Sequence, residues 1–321
     1  MSMKLLYHPL YSKHETGMHP ESKKRLELFD YLPETPLRNG EEYLTLVHTP
    51  GYVQMIKQLC REGGGHIDGD TVLCPDSYEV AVHAVGAAVA ASETGDFALV
   101  RPPGHHAYAQ RGSGFCLFNN MAVAAQTRAR QEKRVLILNM AGLFGDGTAD
   151  IFYGTDQVMV WSMHQYPGFP GKEYANATGT GKGKGYTVQI PLPPRSGDDI
   201  VAHAMSSFLP IAEQFQPDAV AISAGFDAHQ YDLLLDLRWT VNSFHLIGDT
   251  IRQYFNNTFA VLEGGYNVEE LPRCIENFLA GINGAAAPHH EELTVSGMRV
   301  WEAYDLHLHA VLGNLAPHWD V

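Results

Sequence analysis

The run Val135-Leu136-Ile137-Leu138-Asn139-Met140-Ala141-Gly142-Leu143-Phe144-Gly145-Asp146-Gly147-Thr148 opens on four bulky aliphatic residues. Such a run predicts a strand buried on both faces. Gly145-Asp146-Gly147-Thr148 then reads as loop, and Ala149-Asp150-Ile151-Phe152 as the start of a helix. In open α/β sheets, ligands bind just beyond the carboxyl ends of the strands. Residues 139–144 are therefore expected to floor an active site. That floor holds one amide and five apolar or small residues, a donor-poor set for such a position.

Outward from this run, strands are expected over 4–7, 43–47, 97–100, 158–163, 186–192, 219–223 and 259–262. Helices are expected from His19 to about Tyr31 and over 50–60, 77–93, 119–131, 198–215 and 240–255. Gly63 to Asp70 reads as loop, a solvated one before it is a substrate rim, and a Gly/Lys-rich loop leads to Gly185. Alternation of this kind predicts a mostly parallel sheet covered by helices on both faces. No linker, charge block or repeat divides the 321 residues. One domain over 1–321 is expected, with 285–321, which carries His307, His309 and His318, as a packing segment.

The formal charge of −14 argues against nucleic acid as a partner and is compatible with cationic substrates. Cys60, Cys74, Cys116 and Cys274 lack paired spacing and read as free thiols of a reducing compartment. The first residues carry no apolar signal region, and no stretch approaches a membrane span. A soluble cytoplasmic protein without membrane partners is the expectation, with its oligomeric state left open.

Four further stretches stand in order along the chain: Arg101-Pro102-Pro103-Gly104-His105-His106-Ala107, Gly114-Phe115-Cys116, Ser223-Ala224-Gly225-Phe226-Asp227-Ala228-His229 and Leu262-Glu263-Gly264-Gly265-Tyr266-Asn267. With the central run they resemble the zinc-dependent deacetylases, that is, histone deacetylases and bacterial acetylpolyamine amidohydrolases. The resemblance covers residues 14 to 283 and implies the three-layer arginase/deacetylase α/β fold. It also implies hydrolysis of acetyl-lysine or acetylpolyamine amides by a zinc-bound water.

Carried over residue by residue, the resemblance makes His105 and His106 the proton-handling pair and Tyr266 the oxyanion donor. Asp146 orients the second His. Gly114, Phe115 and Phe169 line the substrate channel, although Phe169 reads almost equally well as a plain loop residue. Cys116 reads as a small buried residue rather than a nucleophile. Of three zinc-ligand positions, Asp227 is kept, while Ala141 and Leu143 replace the other two. The carboxylate expected beside the first His is Asn139. Ser162 and His164 fall in the region of the family's monovalent cation, where Asn139 again occupies a ligand position, so that ion is in doubt as well.

Three neutral residues at family-ionisable positions within five residues point first to a deacetylase scaffold unable to hold catalytic zinc, either a natural pseudoenzyme or an engineered variant. No resident cofactor is then expected. Two other readings stand beside it: a module binding acetyl-lysine or small acetylated amines intact, and a metal-free catalyst using Asp227, His105 or His106 as general base.

Overall fold

The computed structural model describes residues 2–131, 133–171 and 175–321. In chain order the strands are β1 (Leu5–Leu6), β2 (Gly65–His66), β3 (Val72–Leu73), β4 (Phe97–Ala98), β5 (Val135–Asn139), β6 (Val158–Gln165), β7 (Thr187–Leu192), β8 (Ala219–Ala224) and β9 (Thr258–Leu262). The α-helices are α1 (Lys24–Glu27), α2 (Pro50–Arg61), α3 (Ser77–Thr94), α4 (Asn120–Ala129), α5 (Asp146–Phe152), α6 (Asp198–Phe215), α7 (Val241–Tyr254), α8 (Leu271–Ile282) and α9 (Met298–Leu315).

Seven strands form one sheet in the order β1-β4-β9-β8-β5-β6-β7. Every neighbouring pair in it is parallel. Helices cover both faces, giving the three-layer α/β arrangement. β5 lies at the centre, with Asn139 opposite Ser162 on β6 and Ser223 on β8. Val135, Leu136 and Ile137 are fully buried, and Leu138 almost so. Each such side chain contributes roughly 1.5–3 kcal/mol of burial, which holds the strand end, and the site beyond it, in one place. β7 is an edge strand of the sheet, which accommodates Pro191 without a lost ladder hydrogen bond.

Several local expectations need correction. Residues 43–47 are no strand: a 3₁₀ helix spans Glu41–Leu46, its Gly40 N donating to Val82 O at 3.2 Å, so the segment packs on α3 rather than pairing. A Cβ on Gly86 of α3 would lie 2.0 Å from Arg38 O, so only glycine permits that approach. The helix expected to about Tyr31 is a single α-turn, α1, followed by i→i+3 turns at Phe29 and Leu32. The Gly63–Asp70 loop contains β2, which makes a two-stranded antiparallel ribbon with β3. The glycine-rich loop after Gly145 is already helical from Asp146. The helices α8 and α9 were not anticipated; within 285–321, the 18 residues of α9 bury Tyr304, Leu308, Val311 and Leu315. The loop expected up to Gly185 includes 172–174, which lie outside the described residues. Among the described residues no helix is long and apolar enough to cross a membrane.

Candidate active site

Five strand ends lead to one cavity region. β4 leads to the His105-His106 loop, β5 to 139–144, β6 to Gln165, β8 to Asp227 and β9 to Tyr266. The His loop is held from below by Glu263, fully buried at the end of β9. One of its oxygens accepts from Gly104 N at 2.7 Å and His105 N at 3.0 Å, and the other from Ser223 Oγ at 2.9 Å. Asn119 caps α4 through Ala122 N and donates to Ala107 O at 3.0 Å, tying the far side of the loop to the helix layer.

The protonation pattern of His105 follows from Asn139. The amide Nδ2 lies 2.9 Å from both Leu143 O and Ser162 Oγ. A backbone carbonyl can only accept, so that atom is the NH₂ group and Oδ1 is the atom facing His105 Nδ1 at 3.2 Å. His105 Nδ1 therefore carries the proton. Burial, and then the neighbouring His106, lower the His105 pKa and keep the ring neutral. His106 Nδ1 donates to Asp146 Oδ1 at 2.7 Å, while Tyr108 Oη donates to Oδ2 at 2.5 Å. Burial raises the Asp146 carboxyl, but the His106 and Tyr108 contacts more than offset it and hold the pKa below the ordinary value. His106 Nε2 is buried and has no partner among the described residues.

A cavity of about 230 Å³ opens above these groups. Its lining includes His106, Gly114, Phe115, Leu143, Phe169 and Tyr266, with exposed Asp70 at the same opening. Phe169 meets the His106 ring edge-on at 5.0 Å and Phe115 meets Tyr266 at 5.7 Å, so both aromatic residues singled out from the sequence face the cavity. Tyr266 stays a neutral phenol, since burial raises its pKa well above the usual value. The guanidinium of Arg25 lies 4.9 Å over its ring and donates to Gly265 O at 2.7 Å and Glu263 O at 2.5 Å. Burial pushes the Glu21 carboxyl up, but Arg101 and Arg25 outweigh it and hold the pKa at about 2, completing an ionised buried cluster behind the tyrosine.

Asp227 lies outside the cavity wall and is fully buried. Its Oδ1 accepts from Gly142 N at 3.0 Å, and its Oδ2 has no partner among the described residues. Burial, and then the charge of Asp232, raise its pKa to about 6. The side chains of Ala141 and Leu143 present only carbon atoms, and Leu143 is part of the cavity lining. A Cβ on Gly225 would meet Ala141 Cβ at 2.4 Å, so the β8 loop is packed directly on the alanine. Cys116 is buried, and burial raises its thiol pKa well above normal, as expected of a packing residue. All four cysteines are free.

Among the described residues, the one set of three metal-ligating atoms within 4.8 Å of one another belongs to His229, Glu270 and Glu291, away from this cavity lining. Arg273 already sits against it, 2.6 Å from Glu270 and 3.4 Å from Glu291, so these carboxylates are matched by an internal cation. The sequence did not point to Glu263, Arg25 or Glu21, nor to Leu234 and Leu235, which also line the cavity. A charged residue directly after the aliphatic β9 was the available signal for Glu263, and the i,i+4 pair Glu21/Arg25 for the cluster.

A parallel sheet whose carboxyl-end loops gather two imidazoles, two carboxylates and a phenol around one cavity defines the arginase/deacetylase class of α/β proteins. The chain belongs to the histone deacetylase domain family, whose model matches residues 19–282. It is 36% identical over 293 residues to a probable deacetylase of Archaeoglobus fulgidus, covering 83% of this chain and 81% of the relative. It is 33% identical over 294 residues to the histone deacetylase-like amidohydrolase of Pseudomonas aeruginosa, covering 83% and 77%. The crystal structure of the HDA15 HD domain superposes with a TM-score of 0.89 at 27% identity, over 99% of this chain and 95% of that one.

Proposed function

We propose that this chain keeps the acyl-amine pocket of its family but not the zinc-dependent hydrolysis, and binds an acetyl-lysine side chain or a small acetylated amine intact. A catalytic zinc takes three protein ligands and keeps a fourth position open. Here Asp227 offers one carboxylate, while Ala141 and Leu143 offer no donor atom. The imidazoles do not substitute, because the ligand atoms of His105, His106 and Asp227 do not form a set within 4.8 Å of one another. The residues present do not fit the metal.

What remains fits an amide. Tyr266 O–H donates to a carbonyl, and His106 Nε2 accepts from an amide N–H. Phe115 and Phe169 flank the alkyl chain, and Leu143 receives the acyl methyl. The observation that carries the reading is a donor and an unpartnered acceptor sharing a cavity whose lining also includes Leu143, Leu234 and Leu235.

Elemental analysis of the purified protein, beside calorimetric titration with an acetyl-lysine peptide and acetylputrescine, tests it. The expected result is far less than one zinc per chain and saturable binding without acetate release. A stoichiometric, chelator-resistant zinc defeats the proposal. Acetate release unaffected by chelators would favour instead the metal-free catalyst, for which Asp227, with its pKa near 6, is the candidate base.

A further inference from the structure

We infer that the side-chain amide of Asn139 takes the place of the monovalent cation that the family resemblance implies beneath β5, so that this chain closes that site with its own N–H groups. Leu143 O and Ser162 Oγ converge on one point at the end of the central strands, and both stand 2.9 Å from Asn139 Nδ2. A carboxylate at position 139 would add a third oxygen with no proton to share. Of these three oxygens only Ser162 Oγ carries a proton, and it can serve one of the other two at most, so one acceptor is left facing another unless a cation sits between them. The amide reverses this arrangement. Its two N–H bonds are directed one to each oxygen, and its own Oδ1 is turned away to accept from His105 Nδ1 at 3.2 Å.

The rest of the surroundings is uncharged too. Ser162 Oγ continues to His164 Nδ1 at 3.1 Å, so the amide's second contact belongs to a chain of uncharged polar groups. Asn139, Ser162 and His164 are all buried. Both contacts at Asn139 Nδ2 are made without an ion, and a cation placed there would have to displace them; within the network His164 Nε2 alone lacks a hydrogen-bond partner among the described residues. The same amide that satisfies the cage also fixes the His105 tautomer, so Asn139 is a positioning residue for the His loop.

Melting the parent and Asn139→Asp in potassium, sodium and tetramethylammonium chloride at equal ionic strength tests the inference. The variant is expected to melt well below the parent in tetramethylammonium, and the gap is expected to narrow saturably as potassium or sodium replaces it. A gap that is the same in all three salts, or no gap in any, overturns the assignment. Should the variant not fold, crystals of the parent soaked in thallium(I) acetate give a location-specific answer. Anomalous density between Leu143 O and Ser162 Oγ overturns the inference, and its absence there supports it. Neither result depends on the side chains of Ala141 and Leu143, so the zinc reading stands or falls separately.

Discussion

Asp227 holds a carboxyl group with one satisfied oxygen in a fully buried position, and the pH dependence of stability should register it. Its pKa of about 6 in the fold lies above the roughly 3.9 of an unfolded chain. The protonated carboxyl therefore favours folding fully below about pH 4, and this contribution is lost as pH rises through about 6. Asp227→Asn does not titrate; its unpartnered NH₂ adds an offset independent of pH. Denaturant unfolding of parent and variant should show the parent losing stability relative to the variant as pH rises from about 4 to 8. A difference flat across that range would refute the raised pKa. Residues of this kind were legible because their types recur in ordered motifs: His106 and Tyr266 line the cavity, while His105, Asp146 and Asp227 are buried and outside its lining. Arg25 was not legible as a support of Tyr266, because only the folded chain brings residue 25 against residue 265.

The turn at Ser113 to Cys116 shows what an element contributes. Cys116 N donates to Ser113 O at 2.9 Å and Ser113 N to Cys116 O at 3.2 Å. Both central residues have positive φ, 53° at Gly114 and 69° at Phe115, as a type I′ turn requires. Gly114 takes that conformation freely, and its lack of a side chain lets the turn approach the His106 ring. A Cβ there would sit 2.7 Å from His106 Cδ2 and 3.1 Å from Phe169 Cε1. Gly114→Ala should therefore lower stability by about 1–3 kcal/mol through strain and weaken acyl-amine binding by displacing His106. Calorimetry of unfolding and of ligand titration checks both, and unchanged values on both would show that the turn is looser than it looks. The long buried elements, β5 and α6, were legible from their apolar pattern. Where tertiary contacts decide, pattern misleads: 41–46 has no neighbouring strand to pair with and coils against α3, and α5 starts inside a glycine run because Asp146 is held by His106 and Tyr108.

Across the whole molecule, the sheet order, the His loop, Glu263 and the Arg25 cluster form a frame on which the proposed reading of positions 139, 141 and 143 can be tested by exchange of those three residues. Asn139→Asp, Ala141→Asp and Leu143→His together would set two carboxylates and an imidazole at the inner end of the cavity. Neither Ala141→Asp nor Leu143→His alone completes three protein ligands, so single changes should bind zinc weakly and turn over near background. Without metal, the new Asp at 141 would stand beside Asp227, whose pKa is already raised, and like charge would raise it further. The triple variant should thus melt below the parent when stripped of metal. Zinc then binds only the folded form and should raise its melting point in proportion to the logarithm of free zinc above the dissociation constant. The parent should show no such response at the same zinc concentrations. Gly225, already pressed against residue 141, is the position where the frame is tightest and where failure to fold would originate. Acetate release from acetyl-lysine and acetylputrescine by the zinc-loaded triple variant is the expected outcome, since His105, His106 and Tyr266 need no further change. A triple variant that folds, is stabilised by zinc and still releases no acetate would show that the substituted positions are not what separates this pocket from hydrolysis.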